Sequence, residues 1–444
     1  MQRARSFIVL LVIAIPLFWY AYRESKKGPV EDGPKRDKVF NVDAGKIEEL
    51  EIKHESGERT TLRRQGTEWT IAQPIAAPSD EATVNGITSN LASMEIQRVI
   101  EENPTDVSEF GLASPRVEVA FKAAGAQQRL QIGGKTPSGT DVYARIADQT
   151  KVFLVSSFLE STFNRSSFDL RDKSVLKLDR EKVDSLAVRG GQEVQFAKTN
   201  GEWALEAPMK GRADFSAVDG LVSRLAGLQM KSIVPEPAAP QKYGLQKPAA
   251  TVQIGSGSSQ ATLVLGAPAA DDTVYARDLA RSAVFTVDAS LLEDLKKDPS
   301  EYRQKDLFDA RSFNTSRVDI QHKGQSSTFE KSTAKDKDGK DVEKWKQVAP
   351  AARDVDAAKV EALISAATAA RATSFAPSRT KIDAGNPELT VSLKYDGDKE
   401  ERVIFVRDGT TVYGVRGGAS DVPGAAIVDG GTVDNVVKAL EALK

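Results

Sequence analysis

Trp69-Thr70-Ile71-Ala72-Gln73-Pro74 is the stretch on which the fold turns, because the chain contains its pattern three times. It returns as Trp203-Ala204-Leu205-Glu206-Ala207-Pro208 and again as Trp345-Lys346-Gln347-Val348-Ala349-Pro350. Each copy reads Trp-x4-Pro. An Asp follows six residues after each Pro (Asp80, Asp214, Asp356), and a Val four residues after each Asp (Val84, Val218, Val360). The chain has four Trp, so most of its indole belongs to this motif. The period, roughly 135–140 residues, marks a tandem array of domain-sized units. Chain length agrees independently: 444 residues suit about three domains of roughly 150 residues.

Within one period the hydrophobic spacing switches between two and three to four. In repeat one, Ile47, Leu50 and Ile52 begin a strand pattern, Glu55-Ser56-Gly57-Glu58 is turn-like, and Thr60, Leu62, Trp69 and Ile71 continue as further strands. Pro74 is expected to end this meander, since Pro cannot donate to a sheet ladder. Ser79 or Asp80 then caps a helix whose Val84, Ile87, Leu91 and Met94 share one face. After the connector Glu101-Glu102-Asn103-Pro104 come strands over 117–121, 129–132, 142–146 and 152–155, and a short helix after Ser156. Repeat two follows the same order: Val218, Leu221, Leu225 and Leu228 line its helix, and a stiff connector spans Pro235 to Pro240. Repeat three is divergent. Its first hairpin is extended by Lys335 to Asp341, and Val433, Val436, Val437 and Leu440 give a closing amphipathic helix.

The expected fold is therefore α+β: three tandem repeats of antiparallel sheet plus helices, following one N-terminal transmembrane helix. The divisions are a short tail over 1–6, an anchor over 7–22, a flexible tether over 23–37, and repeats over 38–173, 174–305 and 306–444. The anchor rests on Ser6 to Tyr22, which carries no charge and is at the short end of a bilayer span. A cleaved signal peptide is the competing reading. Such peptides end in small residues, whereas this stretch ends in Trp19, Tyr20 and Tyr22, which suit the membrane interface. Orientation stays open on charge alone, because basic residues flank both ends and long domains translocate regardless of charge.

Composition narrows the chemistry. With no Cys, the chain has no disulfide, thiolate metal site or Cys nucleophile. Two His offer little for metal binding or general-base work. A net charge of -2 leaves no basic footprint for nucleic acid. No catalytic residue, cofactor or metal is assigned.

The repeated residues read first as architecture. A Trp buries on the order of 200 Å2, enough to anchor a small α+β unit, and apolar residues alternate around Trp69, Trp203 and Trp345 as on a strand's inner face. Pro74, Pro208 and Pro350 belong to the same structural motif, and Asp80, Asp214 and Asp356 are helix caps. Phe110-Gly111-Leu112-Ala113-Ser114-Pro115 matches Tyr243-Gly244-Leu245-Gln246-Lys247-Pro248, where Gly permits a positive φ and Pro fixes a turn. In repeat three this has decayed to Ile382-Asp383-Ala384-Gly385-Asn386-Pro387. Tyr143, Tyr275 and Tyr413 form a series whose hydroxyls can reach the surface, and they are the candidate contacts for a partner or ligand. Gly134-Lys135-Thr136 ends like a phosphate loop, but Arg129 stands where the pattern needs Gly, and Pro137 where it needs a helix. Asp336, Asp338 and Asp341 depart from calcium-loop spacing and read as a solvated hairpin tip.

The combination of an N-terminal anchor, Trp-x4-Pro-x5-Asp, aromatic-Gly-Leu-x2-Pro, a Tyr-Ala strand and Leu170-Arg171-Asp172-Lys173 at a repeat end resembles the bacterial family named domain of unknown function 4340. The resemblance runs from Lys38 to Lys444 and is closest in repeats one and two. It implies a membrane-anchored protein whose repeats face the envelope, encoded near an ABC-type transport system, and it supplies no catalytic residues. The functional expectation is a non-enzymatic scaffold or accessory subunit of an ABC-type transport or envelope complex. The chain is then tethered in the bacterial inner membrane by a single pass, with its bulk periplasmic or extracellular. The alternative is a periplasmic module that binds glycan or peptide in grooves between repeats. An enzyme ranks third, for want of Cys and His nucleophile or base candidates.

Overall fold

The structure is a computed structural model, and it describes residues 36–234, 240–335, 341–377, 380–397, 399–417 and 424–444. The expected tail over 1–6, the anchor over 7–22 and most of the tether over 23–37 lie outside the described residues, as do 235–239 of the second connector and 336–340 of the third hairpin. Among the described residues, no helix is long and apolar enough to cross a membrane.

Repeat one shows how the unit is built. Strand β1 (Ile47–Lys53) buries Leu50 and Ile52 and turns Glu49, Glu51 and Lys53 to the other face. Strands β2 (Arg59–Gln65) and β3 (Glu68–Gln73) continue the alternation, and the register places Leu50 opposite Leu62 and Leu62 opposite Ile71 in one apolar row. Beyond Pro74 the chain folds back as the two-residue strand β4 (Ala77–Pro78). The meander thus does not end at the proline, as the sequence pattern suggested. Pro78 is tolerated here because it lies at the sheet edge, where a missing N–H breaks no ladder bond.

Helix α1 (Glu81–Ser93) carries the chain from that edge to the opposite one, burying Val84, Ile87 and Leu91 against the sheet. Strand β5 (Arg98–Glu101) lands there, and the chain then returns to the centre. Strand β6 (Val117–Ala123) pairs antiparallel with β1, and β7 (Ala126–Lys135), β8 (Asp141–Ile146) and β9 (Val152–Ser156) run outward until β9 meets β5. The order is β4-β3-β2-β1-β6-β7-β8-β9-β5. Helix α2 (Phe158–Phe163) adds Leu159 and Phe163 to the core.

The second and third sheets have nine strands in the same order, position for position. Helices α3 (Phe215–Ala226) and α4 (Ser290–Leu295) belong to repeat two, and α5 (Ala357–Thr368) and α6 (Gly431–Glu441) to repeat three. Each sheet falls within one of the divisions 38–173, 174–305 and 306–444. The chain divides into two compact units, Met1–Lys173 and Ser174–Lys444, so repeats two and three share a unit. In repeat three, Val360, Leu363 and Ile364 of α5 join Val433, Val436 and Leu440 of α6 in one core with the sheet. The architecture is α+β, in three copies.

Candidate functional site

The three tryptophans are interior residues, 2%, 4% and 2% exposed for Trp69, Trp203 and Trp345. The register places a cation directly opposite each one: Arg64 opposite Trp69, Lys198 opposite Trp203 and Lys331 opposite Trp345. These charges sit 6.0, 5.6 and 5.6 Å from the ring centroids. Each long apolar stem therefore covers the rim of an indole while its head stays near solvent. The pairing was not read from the sequence, because it depends on hairpin length; Lys331 is much farther from its Trp than Lys198 is.

Asp80, Asp214 and Asp356 cap α1, α3 and α5, accepting from Thr83 N–H at 2.8 Å, Ala217 N–H at 2.9 Å and Ala358 N–H at 2.9 Å. The Gln73–Pro74, Ala207–Pro208 and Ala349–Pro350 peptides are all cis. The Asp80 N–H donates to the Leu170 carbonyl and the Asp214 N–H to that of Tyr302, both at 2.8 Å. The end of each of these repeats is thus clasped to its own helix cap, which explains why Arg171-Asp172-Lys173 and Arg303-Gln304-Lys305 recur at matching places.

Gly111 and Gly244 have φ of 69° and 72°. Gly111 lies against the backbone of Gly134, whose N–H donates to the Phe110 carbonyl at 2.8 Å. Gly134-Lys135 is therefore the end of β7 and opens no helix. The candidate contact tyrosines are half-buried on the matching strand of each sheet. Tyr143 packs on Phe110 with centroids 5.0 Å apart, and Tyr275 on Tyr243 at 4.8 Å. Tyr413 packs against the cluster of Ile404, Val406, Val415 and Ala425, beside Ile382 and Ala384. The decayed motif of repeat three thus occupies the same place as its relatives. The three tyrosines are one per sheet, and no single site gathers them.

What the second unit does gather is charge at the junction of repeats two and three. A cavity of about 300 Å3 opens there. Lys210, Arg212 and Arg303 line it from repeat two, and Leu307, Phe375 and Arg416 from repeat three. Among the described residues its lining holds four cations and one carboxylate, Asp306. Arg212 is hydrogen-bonded to Asp309 and donates to the Asp306 carbonyl at 3.2 Å. Arg416 Nη2 donates to Asp309 at 2.8 Å and to Glu401 at 3.0 Å. The buried Glu401 carboxylate also accepts the N–H groups of Asp309, at 3.0 Å, and Ala310, at 2.7 Å. Asp306 itself is paired with Arg311 at 3.1 Å.

Burial lowers the Arg212 pKa, and the neighbouring Arg416 charge adds to that. Burial also lowers that of Arg303. Burial works to raise the Asp309 carboxyl, but the Arg416 hydrogen bond and the Arg212 charge outweigh it and hold it below its ordinary value. None of these junction residues was singled out from the sequence. Counted from the capping Asp, Arg212 stands where repeat one has Pro78 and repeat three Asp354; counted from the Tyr, Arg416 stands where repeat one has Ile146 and repeat two Asp278. The signal was in what differs between repeats, whereas the repeat pattern draws the eye to what they share.

A family model described as "Domain of unknown function (DUF4340)" matches residues 69–210 and 203–388. No curated protein matches the chain. Solved structures similar to it include a DNA polymerase sliding clamp from Pseudomonas aeruginosa with ligand, and a DNA polymerase III subunit beta clamp from the same organism bound to griselimycin. Each is 9% identical, covers 88% of this chain and 93% of its own, and has a TM-score of 0.14, too low to carry an argument.

Proposed function

This chain belongs to the family described as domain of unknown function 4340, and from that premise we propose that it is a membrane-tethered, envelope-facing scaffold or accessory subunit of an ABC-type transport or envelope complex. The observation that carries the reading is where the repeated residues go. Each Trp is buried, each Asp caps a helix, and each Pro follows the strand that bears the Trp. The fold itself absorbs what the three repeats share, so recognition falls to the surfaces on which they differ. The uncharged segment Ser6 to Tyr22 supports the tether. The test is affinity purification of tagged full-length protein from gently solubilised native membranes. An accessory subunit brings permease and ATPase subunits with it; recovery of the protein alone, across several detergents, contradicts the role.

A second reading, a ligand-binding module, is favoured by one specific observation, the cavity between repeats two and three. It is concave, partly apolar and edged with convergent polar groups, as small-molecule sites are.

A further inference from the structure

Among the described residues, the junction cavity's lining holds more positive charge than its own carboxylate answers. Arg212 and Arg416 are engaged by Asp309 and Glu401, and Lys210 reaches out to Glu206 at 3.4 Å. Arg303 differs. Among the described residues it has no carboxylate partner: its Nη1 donates to Met209 Sδ at 3.6 Å, and its guanidinium lies 3.7 Å from the Phe375 ring centroid. Gly424 makes this placement possible, since a Cβ there would come within 2.7 Å of both Arg303 Nη1 and Met209 Sδ. A guanidinium stacked on a ring keeps in-plane N–H donors for a planar or tetrahedral oxyanion. Beside it, Arg416 Nη1 is buried and has no hydrogen-bond partner among the described residues.

We propose that this cavity binds a small oxyanion-bearing molecule, a carboxylate or phosphate on a compact body. Arg303 is its bidentate anchor, Arg212 and Arg416 supply the positive field behind it, and Phe375 and Leu307 form the apolar wall. The cavity volume suits a molecule of a few to a dozen heavy atoms, at the small end of ligand pockets of roughly 300–1,000 Å3. Burial of the Arg303 charge works in the same direction, because an anion relieves the cost of holding that charge away from water. The inference rests on the ligand-binding reading and names its chemistry.

The experiment is isothermal titration of the full chain in detergent, in low-salt buffer free of phosphate. The probes are inorganic phosphate, benzoate and the neutral disaccharide chitobiose. Saturable binding of phosphate or benzoate is expected, and the stronger of the two identifies the oxyanion. Arg303→Gln should weaken that binding by about tenfold or more, the loss of a charge-assisted bidentate pair. Arg303→Lys should recover part of it, and Arg171→Gln, at the matching place in repeat one, should leave it unchanged. Thermal unfolding of each variant separates loss of binding from loss of fold; if Arg303→Gln unfolds, Arg303→Lys and Gly424→Ala, which crowds the guanidinium, carry the test. Binding that is indifferent to these changes overturns the inference. Binding of chitobiose alone overturns it while leaving the ligand-binding reading standing, and failure of all three probes removes both.

Discussion

Arg303 of repeat two lies with its guanidinium carbon 3.7 Å from the ring centroid of Phe375 in repeat three. The pair joins two repeats through one planar stack, at a place where the rest of the junction is held by ion pairs. An aromatic face attracts a guanidinium electrostatically, the more so when both are partly desolvated. A double-mutant cycle of Arg303→Gln and Phe375→Leu should therefore give a coupling of about 1 kcal/mol in denaturant unfolding. Strictly additive effects would show that the two groups do not interact.

The glycine series separates conformational need from mere recurrence. Gly111→Ala and Gly244→Ala each place a Cβ on a left-handed backbone and within 2.9 and 2.7 Å of a backbone nitrogen. Each should destabilise its unit by about 1–3 kcal/mol. Gly385→Ala, in the corresponding stretch of repeat three but two residues further on, where repeat one has Ala113 and repeat two Gln246, meets only a side-chain oxygen of Asp383 at 3.4 Å. It should change stability by less than about 0.5 kcal/mol. Chemical denaturation of the three variants checks the ordering.

Replacing a capping Asp removes an acceptor from the first turn of a helix. Asp80→Ala and Asp214→Ala should each cost about 1 kcal/mol, and Asp80→Asn and Asp214→Asn much less, because Asn caps nearly as well. Calorimetry should show the Asp80 variant acting on the unit Met1–Lys173 and the Asp214 variant on Ser174–Lys444, the unit that contains each cap.

Much of this fold was legible because its signals are local. Alternation around Leu50, Leu62 and Ile71 marks strands, and Asp80 followed by Val84, Ile87 and Leu91 marks a capped helix. The array was legible because Trp, Pro and Asp recur at fixed offsets. The strand β4 was not, since two residues ending in Pro78 carry no alternation, and their pairing is set by the turn before them. Strand β7 runs beyond the stretch over 129–132 because Ala126 to Gln128 pair with Phe121 to Ala123 at the turn end of a hairpin, where exposure hides the period. The junction was invisible for another reason. Arg212 is far from Asp309 in the chain, and Arg303 from Phe375 and Arg416, so only packing of repeat two on repeat three brings them together. The Tyr series was legible as a repeat, but its rings serve Phe110, Tyr243 and the Ile404 cluster.

Acid should loosen that junction. The folded-state pKa of Asp309 is depressed below 3.8. A depressed carboxyl contributes stability that is present above its unfolded pKa and lost as pH falls through the folded value. Stability of repeats two and three should therefore decline as pH drops below about 4, and Asp309→Asn should lower stability at neutral pH while flattening the acid limb. Unfolding midpoints from pH 7 to pH 2.5 measure both; an acid limb unchanged in the variant would remove Asp309 from the explanation.

The most direct test of the central claim is photocrosslinking in native membranes from Phe313, which is 81% exposed in repeat three. A photoreactive phenylalanine analogue at that position, in full-length protein at native expression, is irradiated in cells, and its adducts are identified by mass spectrometry. A scaffold or accessory subunit predicts adducts with integral-membrane subunits of one transport complex. Absence of any protein adduct there, and at Leu279 and Ile75, which are also exposed, would contradict the account.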